Sequence, residues 1–344
     1  MVYIKALSVQ NFRSHDTYSL KLSPETTVIT GKNGSGKTSL IEALYIALQG
    51  SSFRGSDTDI VKHQTDWYRV DVEFSDGLKR SVKFDPSKPT SRKQFSINDK
   101  ISYRLSAKDK YPVVLFEPDD LRLLSGSPAR RREFIDTFIS QVDPRYHAAV
   151  RKYERALKQR NNLLKKQYTT NNELFVWNIT LSEYGSYIIS ERIAFIEKLN
   201  NTISDVYNSI AQSKDIISIH YSHTFIDDIK QKLLSELTLG SEKDKILGFT
   251  SVGPHRHDVI FNYNGTLADP ITSRGENRSI ILALKYIEIE ILESILDKKP
   301  IVLLDDVFSE LDQDRKNNLL TTTYQSIVTA NDILKDDNYN VIEI

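Results

Sequence analysis

An α/β fold with a mixed sheet and an inserted helical lobe is predicted by three features of the 344-residue sequence. The strand-like run Thr26–Thr30 leads through a glycine-rich loop into an apolar, helix-spaced stretch from Lys37 to Leu48. A second apolar strand, Ile301–Leu304, ends in two carboxylates, Asp305 and Asp306. Between them, from Pro128 to about Asn208, the chain turns helical and charged.

In chain order, Val2–Val9, Thr26–Thr30, Arg69–Phe74 and Lys79–Phe84 carry the β-branched and aromatic residues of strands, with Asp76-Gly77 as a turn. Gly50 stops the helix that starts at Lys37. The charged stretch breaks near Thr169–Asn172, which predicts two long helical segments packed as an antiparallel pair. Its apolar residues are too irregular for a sustained heptad, so no coiled-coil arm is expected. Strands return at Ile216–Tyr221 and Asp258–Tyr263, a helix at Glu276–Leu296, and a last strand at Ser326–Thr329. This layout predicts a head built from residues 1–120 and 241–344 around a helical lobe at 121–240.

Composition narrows the function. Lys and Arg total 46 and balance 46 Asp and Glu, so affinity for a polyanion has to come from local clustering. Leu121–Lys166 provides it, with twelve Lys/Arg against four acids; Arg130, Arg131, Arg132, Arg151 and Lys152 are the candidate DNA contacts, though a solvated helix face, or arginines that pack or pair within the helix Pro128–Ser140, has the same spelling. The absence of cysteine excludes disulfides, thiolate metal sites and a cysteine nucleophile. No signal-peptide core or membrane span is present, and a cytoplasmic, nucleoid-associated protein with no membrane partner is expected.

Gly31-Lys32-Asn33-Gly34-Ser35-Gly36-Lys37-Thr38 spells a phosphate-binding P-loop in the strand-to-helix setting that the motif needs, with Ser39 following. The glycines let successive N–H groups face phosphate oxygens at a helix N-terminus. Lys37 is expected on the β- and γ-phosphates of ATP, and Thr38 on Mg²⁺. Asp305 would complete the metal site, and Asp306 would take a proton from the attacking water. An acidic pair after a strand is also a common loop start or helix cap. Ser273-Arg274-Gly275-Glu276, 32 residues before Asp305, resembles the ABC ATPase signature, which completes the nucleotide site of an opposite subunit; a simple capped helix has the same spelling. Ser309-Glu310-Leu311-Asp312 is similar to that class's D-loop. About 270 residues between loop and acidic pair exceed a small GTPase core and suit an ABC-type head with an inserted lobe.

The chain as a whole resembles the RecF recombination-mediator family. The resemblance is carried by Asn11-Phe12-Arg13, the P-loop, Ser52-Phe53-Arg54, Phe116-Glu117-Pro118-Asp119-Asp120-Leu121, Gly126-Ser127-Pro128 with Arg131-Arg132, Gln159-Arg160-Asn161, Gly253-Pro254-His255-Arg256 and Leu304 to Asp312, all collinear with the family's order. It implies an ABC-type ATPase that dimerises on ATP, binds double-stranded DNA and single/double-strand junctions, and helps load recombinase at gaps with RecR and RecO. Departures are Ser39 where Asn is frequent, His257 where an acid is usual, and Thr329-Ala330-Asn331 in place of a switch histidine. Arg13, read as an edge-strand residue, is a further candidate near the nucleotide. Alternatives are another SMC- or Rad50-like repair ATPase, a transporter ATPase subunit, and an ATP-gated DNA scaffold with negligible hydrolysis.

Overall fold

The computed structural model describes residues 2–166, 168–223, 227–307, 323–331 and 339–344. The elements run β1 (Ile4–Phe12), β2 (His15–Lys21), β3 (Thr26–Thr30), α1 (Lys37–Gln49), α2 (Asp57–Ile60), β4 (Tyr68–Phe74), β5 (Lys79–Phe84), β6 (Lys93–Ile97), β7 (Lys100–Ser102) and β8 (Val113–Phe116). Next come α3 (Pro128–Val142), α4 (Pro144–Leu164), α5 (Asn171–Asn200), α6 (Ile203–Ala211), β9 (Ile217–Ser222), α7 (Ile229–Leu239), α8 (Ser241–Leu247), β10 (Asp258–Tyr263), β11 (Thr266–Leu267) and α9 (Ala268–Ile271). The chain ends with α10 (Arg274–Leu296), β12 (Ile301–Leu304), β13 (Ser326–Ala330) and β14 (Asn340–Glu343). Two compact units result, Met1–Asp120 with Glu288–Ile344, and Leu121–Ile287.

In the first unit, strand directions are mixed between sheets rather than within one. An antiparallel sheet runs β2-β1-β4-β5-β6-β7, and a parallel sheet runs β14-β3-β13-β12-β8. On β4, Tyr68, Val70, Val72 and Phe74 point inward while Arg69, Asp71 and Glu73 alternate outward, the pattern of a half-buried strand. Helix α1 is buried almost all round, and its Leu40, Ile41, Leu44 and Ile46 share one core with both sheets. In the parallel sheet, Thr26–Thr30 lies in register with Ser326–Ala330, and Val302–Leu304 with Ser326–Val328. That register brings the loop after β3, the two aspartates after β12 and Asn331 after β13 to one edge, the C-terminal edge where ligands of α/β sheets bind.

Strands β2, β6, β7, β8, β11 and β14 go beyond the sequence reading, and β14, not β13, is the last among the described residues. β2 is a mostly exposed edge strand whose alternation is confined to Tyr18 and Leu20, and β14 is a four-residue, mostly exposed edge strand, so neither gives a strong strand signal. β8 is only four residues long, and its partner β12 lies far along the chain.

The second unit packs α3–α8 with the antiparallel sheet β11-β10-β9. The expected two long helical segments are four helices. Pro144 opens α4 and the Asp143 side chain caps it, accepting from the Arg145 N–H at 2.8 Å. A reciprocal Thr170–Glu173 capping box opens α5. α4 and α5 are antiparallel, with cross-links Arg192–Tyr146, Lys152–Tyr184 and Arg160–Asn178. Residues 241–287, assigned to the head from sequence, belong to this unit, because β10 pairs with β9 and Asp244 and Thr250 bind Arg160 on α4.

Two buried arginines organise this unit, and they explain sequence motifs with no evident chemistry. Arg160, fully buried, donates to Asn178 Oδ1 (2.7 Å), Asp244 Oδ2 (2.7 Å), Thr250 Oγ1 (2.8 Å) and the Leu237 carbonyl (3.2 Å). Arg192 donates to both oxygens of Asp136, to the hydroxyls of Tyr146 and Tyr221, and to the Pro254 carbonyl. Gly253 has φ +127°, and a Cβ there would lie 2.4 Å from the Tyr153 hydroxyl, so only glycine serves. His255 Nε2 donates to the Thr250 carbonyl (3.1 Å), which leaves Nδ1 to accept from Tyr153 (2.7 Å), a neutral imidazole.

Burial, with Arg256 and Arg132 nearby, lowers the His255 pKa to about 4; burial and Arg192 lower that of His257 to about 3. Both sit below the roughly 6.5 of an unfolded histidine. Their contribution to stability is therefore complete above pH 6.5 and is lost as pH falls toward 4 and then 3, by up to about 1.4 kcal/mol per pH unit for each. Urea unfolding followed by Trp177 fluorescence should show a midpoint that drops between pH 7 and 5, with a shallower drop in His255→Asn. An equal drop in that variant would assign the acid sensitivity elsewhere.

Candidate functional site

The P-loop joins β3 to α1. Gly36 has φ +100°, and a Cβ would approach His15 Nε2 to 2.4 Å and Ser14 Oγ to 2.7 Å, so both backbone and space demand glycine. Gly34, at φ +85°, needs glycine for its backbone alone, with open space around it. Lys37 is buried, and its ammonium donates to the carbonyls of Gly31 (2.6 Å) and Lys32 (3.1 Å), which keeps the charge folded over the loop. Lys32 and Asn33 are exposed beside it, whereas Ser39 is buried.

The acidic pair meets this loop. Thr38 Oγ1 donates to Asp305 Oδ1 at 2.8 Å, and Thr329 Oγ1 donates to the same oxygen at 2.9 Å. Burial raises the Asp305 pKa, opposed by these two hydroxyls and by the charge of Arg54. The next residue turns sharply: Asp306 has φ +52°, held by its N–H donating to Thr329 Oγ1 at 2.8 Å. Asn331 Nδ2 donates to Asp306 Oδ1 at 3.2 Å. In the sequence Thr329 and Asn331 stand out only for the missing histidine; their role depends on the β12–β13 register, which no local pattern reveals.

A cleft of about 720 Å³ connects these groups; Asn33, Gly34, Gly36, Lys37, Thr38, Ser39 and Asp306 line it together with Arg13, Ser14, Arg54, Asp59, Val61 and His63. Arg13 is not an edge-strand residue. It sits in the tight turn between β1 and β2 at φ +54°, and β1 lies inside the sheet between β2 and β4. Its guanidinium donates to both oxygens of Glu42 (2.9 and 2.8 Å) and to the Asp59 carbonyl (2.7 Å), and its pKa is raised through the Glu42 hydrogen bond. Glu42, fully buried on α1, escaped the sequence reading; its signal was a carboxylate on an otherwise apolar helix. Ser52 donates to Glu42 Oε1 at 2.5 Å and accepts from the Arg54 N–H at 2.9 Å, which gives Ser52-Phe53-Arg54 a positioning role at this wall.

Ser273 begins α10 with a capping box: its Oγ accepts from the Glu276 N–H (3.2 Å), and Glu276 Oε2 accepts from the Ser273 N–H (2.6 Å). Arg274 and Gly275 form the first turn. Ser273 is exposed, and its side chain and backbone N–H both bond the Glu276 carboxylate, which lowers the pKa of that carboxylate. Ser309 and Asp312 lie outside the described residues.

The basic stretch divides in two. Arg131 donates to both Asp258 oxygens at 2.8 Å and to the carbonyls of Leu124 and Gly126; Arg132 donates to the His257 carbonyl at 2.6 Å. Arg131 thus has most of its donors engaged within the unit and Arg132 at least one, which sets both apart from the exposed basic residues of α4. Arg130 lies half-buried against Gly126. Arg151 and Lys152 are exposed on α4 with Arg155 and Lys158, Lys152 lying over the Tyr184 ring at 5.0 Å. Among the described residues, no helix is long and apolar enough to cross a membrane.

The AAA ATPase domain family matches residues 2–342. The chain is similar to the DNA replication and repair protein RecF of Clostridium perfringens, with 34% identity over 340 residues, covering 96% of this chain and 94% of that protein. A solved structure of the recombination mediator protein RecF-ATPrS in the RecFOR pathway superimposes with a TM-score of 0.90 at 31% identity, covering 100% of this chain and 96% of that one. The Smc head bound to the C-winged helix domain of ScpA shares the fold alone, with 16% identity and a TM-score of 0.51.

Proposed function

Because the chain belongs to the RecF family, we propose that it is an ATPase acting as an ATP-dependent DNA clamp in recombinational repair and replication restart. The observation that carries this reading is the junction of Lys37, Thr38, Asp305, Asp306 and Asn331 at the C-terminal edge of the parallel sheet. The donor set fits ATP and Mg²⁺: a buried lysine over a glycine loop too tight for a Cβ at Gly36, and a hydroxyl paired to a carboxylate. Bound Mg-ATP supplies the phosphoryl group whose hydrolysis reopens the clamp.

In this proposal Gly31 to Ser39 bind the phosphates, and Thr38 and Asp305 hold the metal. Asp306 accepts the proton of the water nucleophile on a carboxylate oxygen, and Asn331 orients that carboxylate. Ser273, Arg274, Gly275 and Glu276, with Ser309 and Asp312, complete the partner's site in an ATP-dependent homodimer. An amide at position 331 cannot exchange protons as a histidine does, which favours slow hydrolysis. Double-stranded DNA and its junctions with single strands are the proposed ligands, RecR and RecO the proposed protein partners, and the cytoplasm the proposed compartment.

Asp306→Asn should bind ATP as the wild type does and turn over at least tenfold more slowly, because an amide cannot take the proton while Asp305 still serves the metal. The variant should accumulate as an ATP-bound dimer in sedimentation; unchanged turnover would remove Asp306 from catalysis. For DNA, neutralising Arg151, Lys152, Arg155 and Lys158 should weaken binding to all sequences and flatten the salt dependence, by about 0.9 of slope for each phosphate that is no longer neutralised. An unaltered slope would place the DNA surface away from α4.

A further inference from the structure

We propose that one end of the second unit is a docking surface for a protein segment presenting an apolar ridge bordered by carboxylates, such as an acidic amphipathic helix. This surface is independent of the nucleotide reading and is built from the second unit alone. Its geometric centre is Arg160, whose four partners tie α4 to α5, α7, α8 and the following turn at a single point. Large apolar residues stand within a turn of every one of those anchors and face outward. Phe175 and Ile179 flank Asn178, Leu239 follows Leu237, Ile246 and Leu247 follow Asp244, and Phe249 precedes Thr250. Leu239 and Ile246 are 82% and 88% exposed. A bond from Lys245 Nζ to Asn171 Oδ1 (2.7 Å) and one from Asn178 to Thr238 (3.4 Å) hold together α5, α7 and α8, the elements that carry most of these residues. Exposed large apolar residues gathered on elements that are tied together in this way point to an interaction site.

The charge around the patch selects the occupant. Lys165 lies beside Gly248, with Lys166 next to it, Lys243 is exposed on α8, and the Arg256 guanidinium stacks over Phe249 at 4.6 Å. The carboxylates nearby are engaged within the unit: Asp244 with Arg160, Glu242 with Lys245, and Glu173 with the Thr170 cap. The result is an apolar centre with a cationic rim, complementary to an apolar ridge edged by Asp and Glu. Nucleic acid fits less well, because phosphates would use the rim and gain nothing from the centre. A membrane surface fits less well because the apolar residues come from several elements rather than from one face of a long amphipathic helix. A second copy related by a two-fold axis would set the cationic rim against itself.

The chain lacks cysteine, so a single Val176→Cys, at a position 61% exposed, can carry an environment-sensitive fluorophore. The probe is a 20-residue helical peptide with leucines at i, i+3, i+4 and i+7 between glutamates. The expected result is a blue shift with a micromolar Kd that rises at least tenfold in Leu239→Glu/Ile246→Glu and with added salt. Lys165→Glu/Lys166→Glu, a second test at exposed positions, should lose the acidic peptide and gain affinity for its lysine-edged counterpart. The proposal is overturned by no shift with the acidic peptide, or by equal binding of the lysine-edged peptide to the wild type. A larger response to duplex DNA or phosphatidylglycerol vesicles, or a label response that tracks self-association in sedimentation, overturns it too.

Discussion

Lys37→Met loses ATP affinity by at least roughly a hundredfold, the equivalent of one or two charge-assisted hydrogen bonds at about 1.5–3 kcal/mol each. The lysine is buried against the loop carbonyls of Gly31 and Lys32, so the change removes the positive charge at the spot where the phosphates are drawn in, and methionine keeps most of the buried stem. ATP-dependent DNA binding should disappear with it, as measured by equilibrium titration of a fluorescent nucleotide and of labelled duplex. Wild-type nucleotide affinity in the variant would sink the assignment of the loop. Ser273→Arg should behave differently, with ATP affinity nearly intact but no ATP-induced dimer, because an arginine fills the space of the partner's phosphate and removes the hydroxyl. A mixture of the two inactive chains then restores partial ATPase activity. In the proposed trans arrangement, one composite site of the mixed dimer would carry both defects and the other would be whole. Absence of recovery at every mixing ratio, or an ATP-induced dimer of Ser273→Arg alone, counts against the trans arrangement.

Arg160→Met should destabilise the second unit by about 3–5 kcal/mol, the range for removing one partner of a buried ion pair. Asp244 would then be left buried without its cation, and Asn178, Thr250 and the Leu237 carbonyl would each lose a hydrogen bond. The two tryptophans allow a direct measurement, since Trp67 lies in the first unit and Trp177, next to Asn178, in the second. In a Trp67→Phe background, urea unfolding read at Trp177 should shift to markedly lower concentration. Arg160→Met with Asp244→Leu should recover part of the loss, because the stranded carboxylate is gone. An unchanged midpoint in the single variant would show that the unit does not depend on this hub.

Much of the candidate nucleotide site can be read from the linear sequence because the chemistry it calls for is local. A P-loop needs glycines, lysine and threonine at fixed spacing over eight positions, and a buried parallel strand announces itself as an apolar run before Asp305 and Asp306. The Thr26–Thr30 and Ile301–Leu304 strands keep the bounds read from sequence, because their periodicity and turn residues lie within the elements themselves.

What the tertiary structure alone decided are relations across long sequence separations. Arg131 and Arg132 read as members of one basic run until α3 meets Asp258 and the His257 carbonyl, 127 and 125 positions later, which bind the first as an ion pair and the second by a hydrogen bond. Arg160 reads as one more surface charge on α4 until three other elements converge on it. Thr329 and Asn331 acquire their partners from the parallel register of β12 and β13, and the Glu42–Arg13 pair from the turn between β1 and β2 folding against α1. The physical reason is the same in each case. A side chain's hydrogen-bonding capacity is written in its own residue, whereas its partner is chosen by which strands pair and which helices pack, and the cost of leaving a buried polar group unmatched makes that choice stringent.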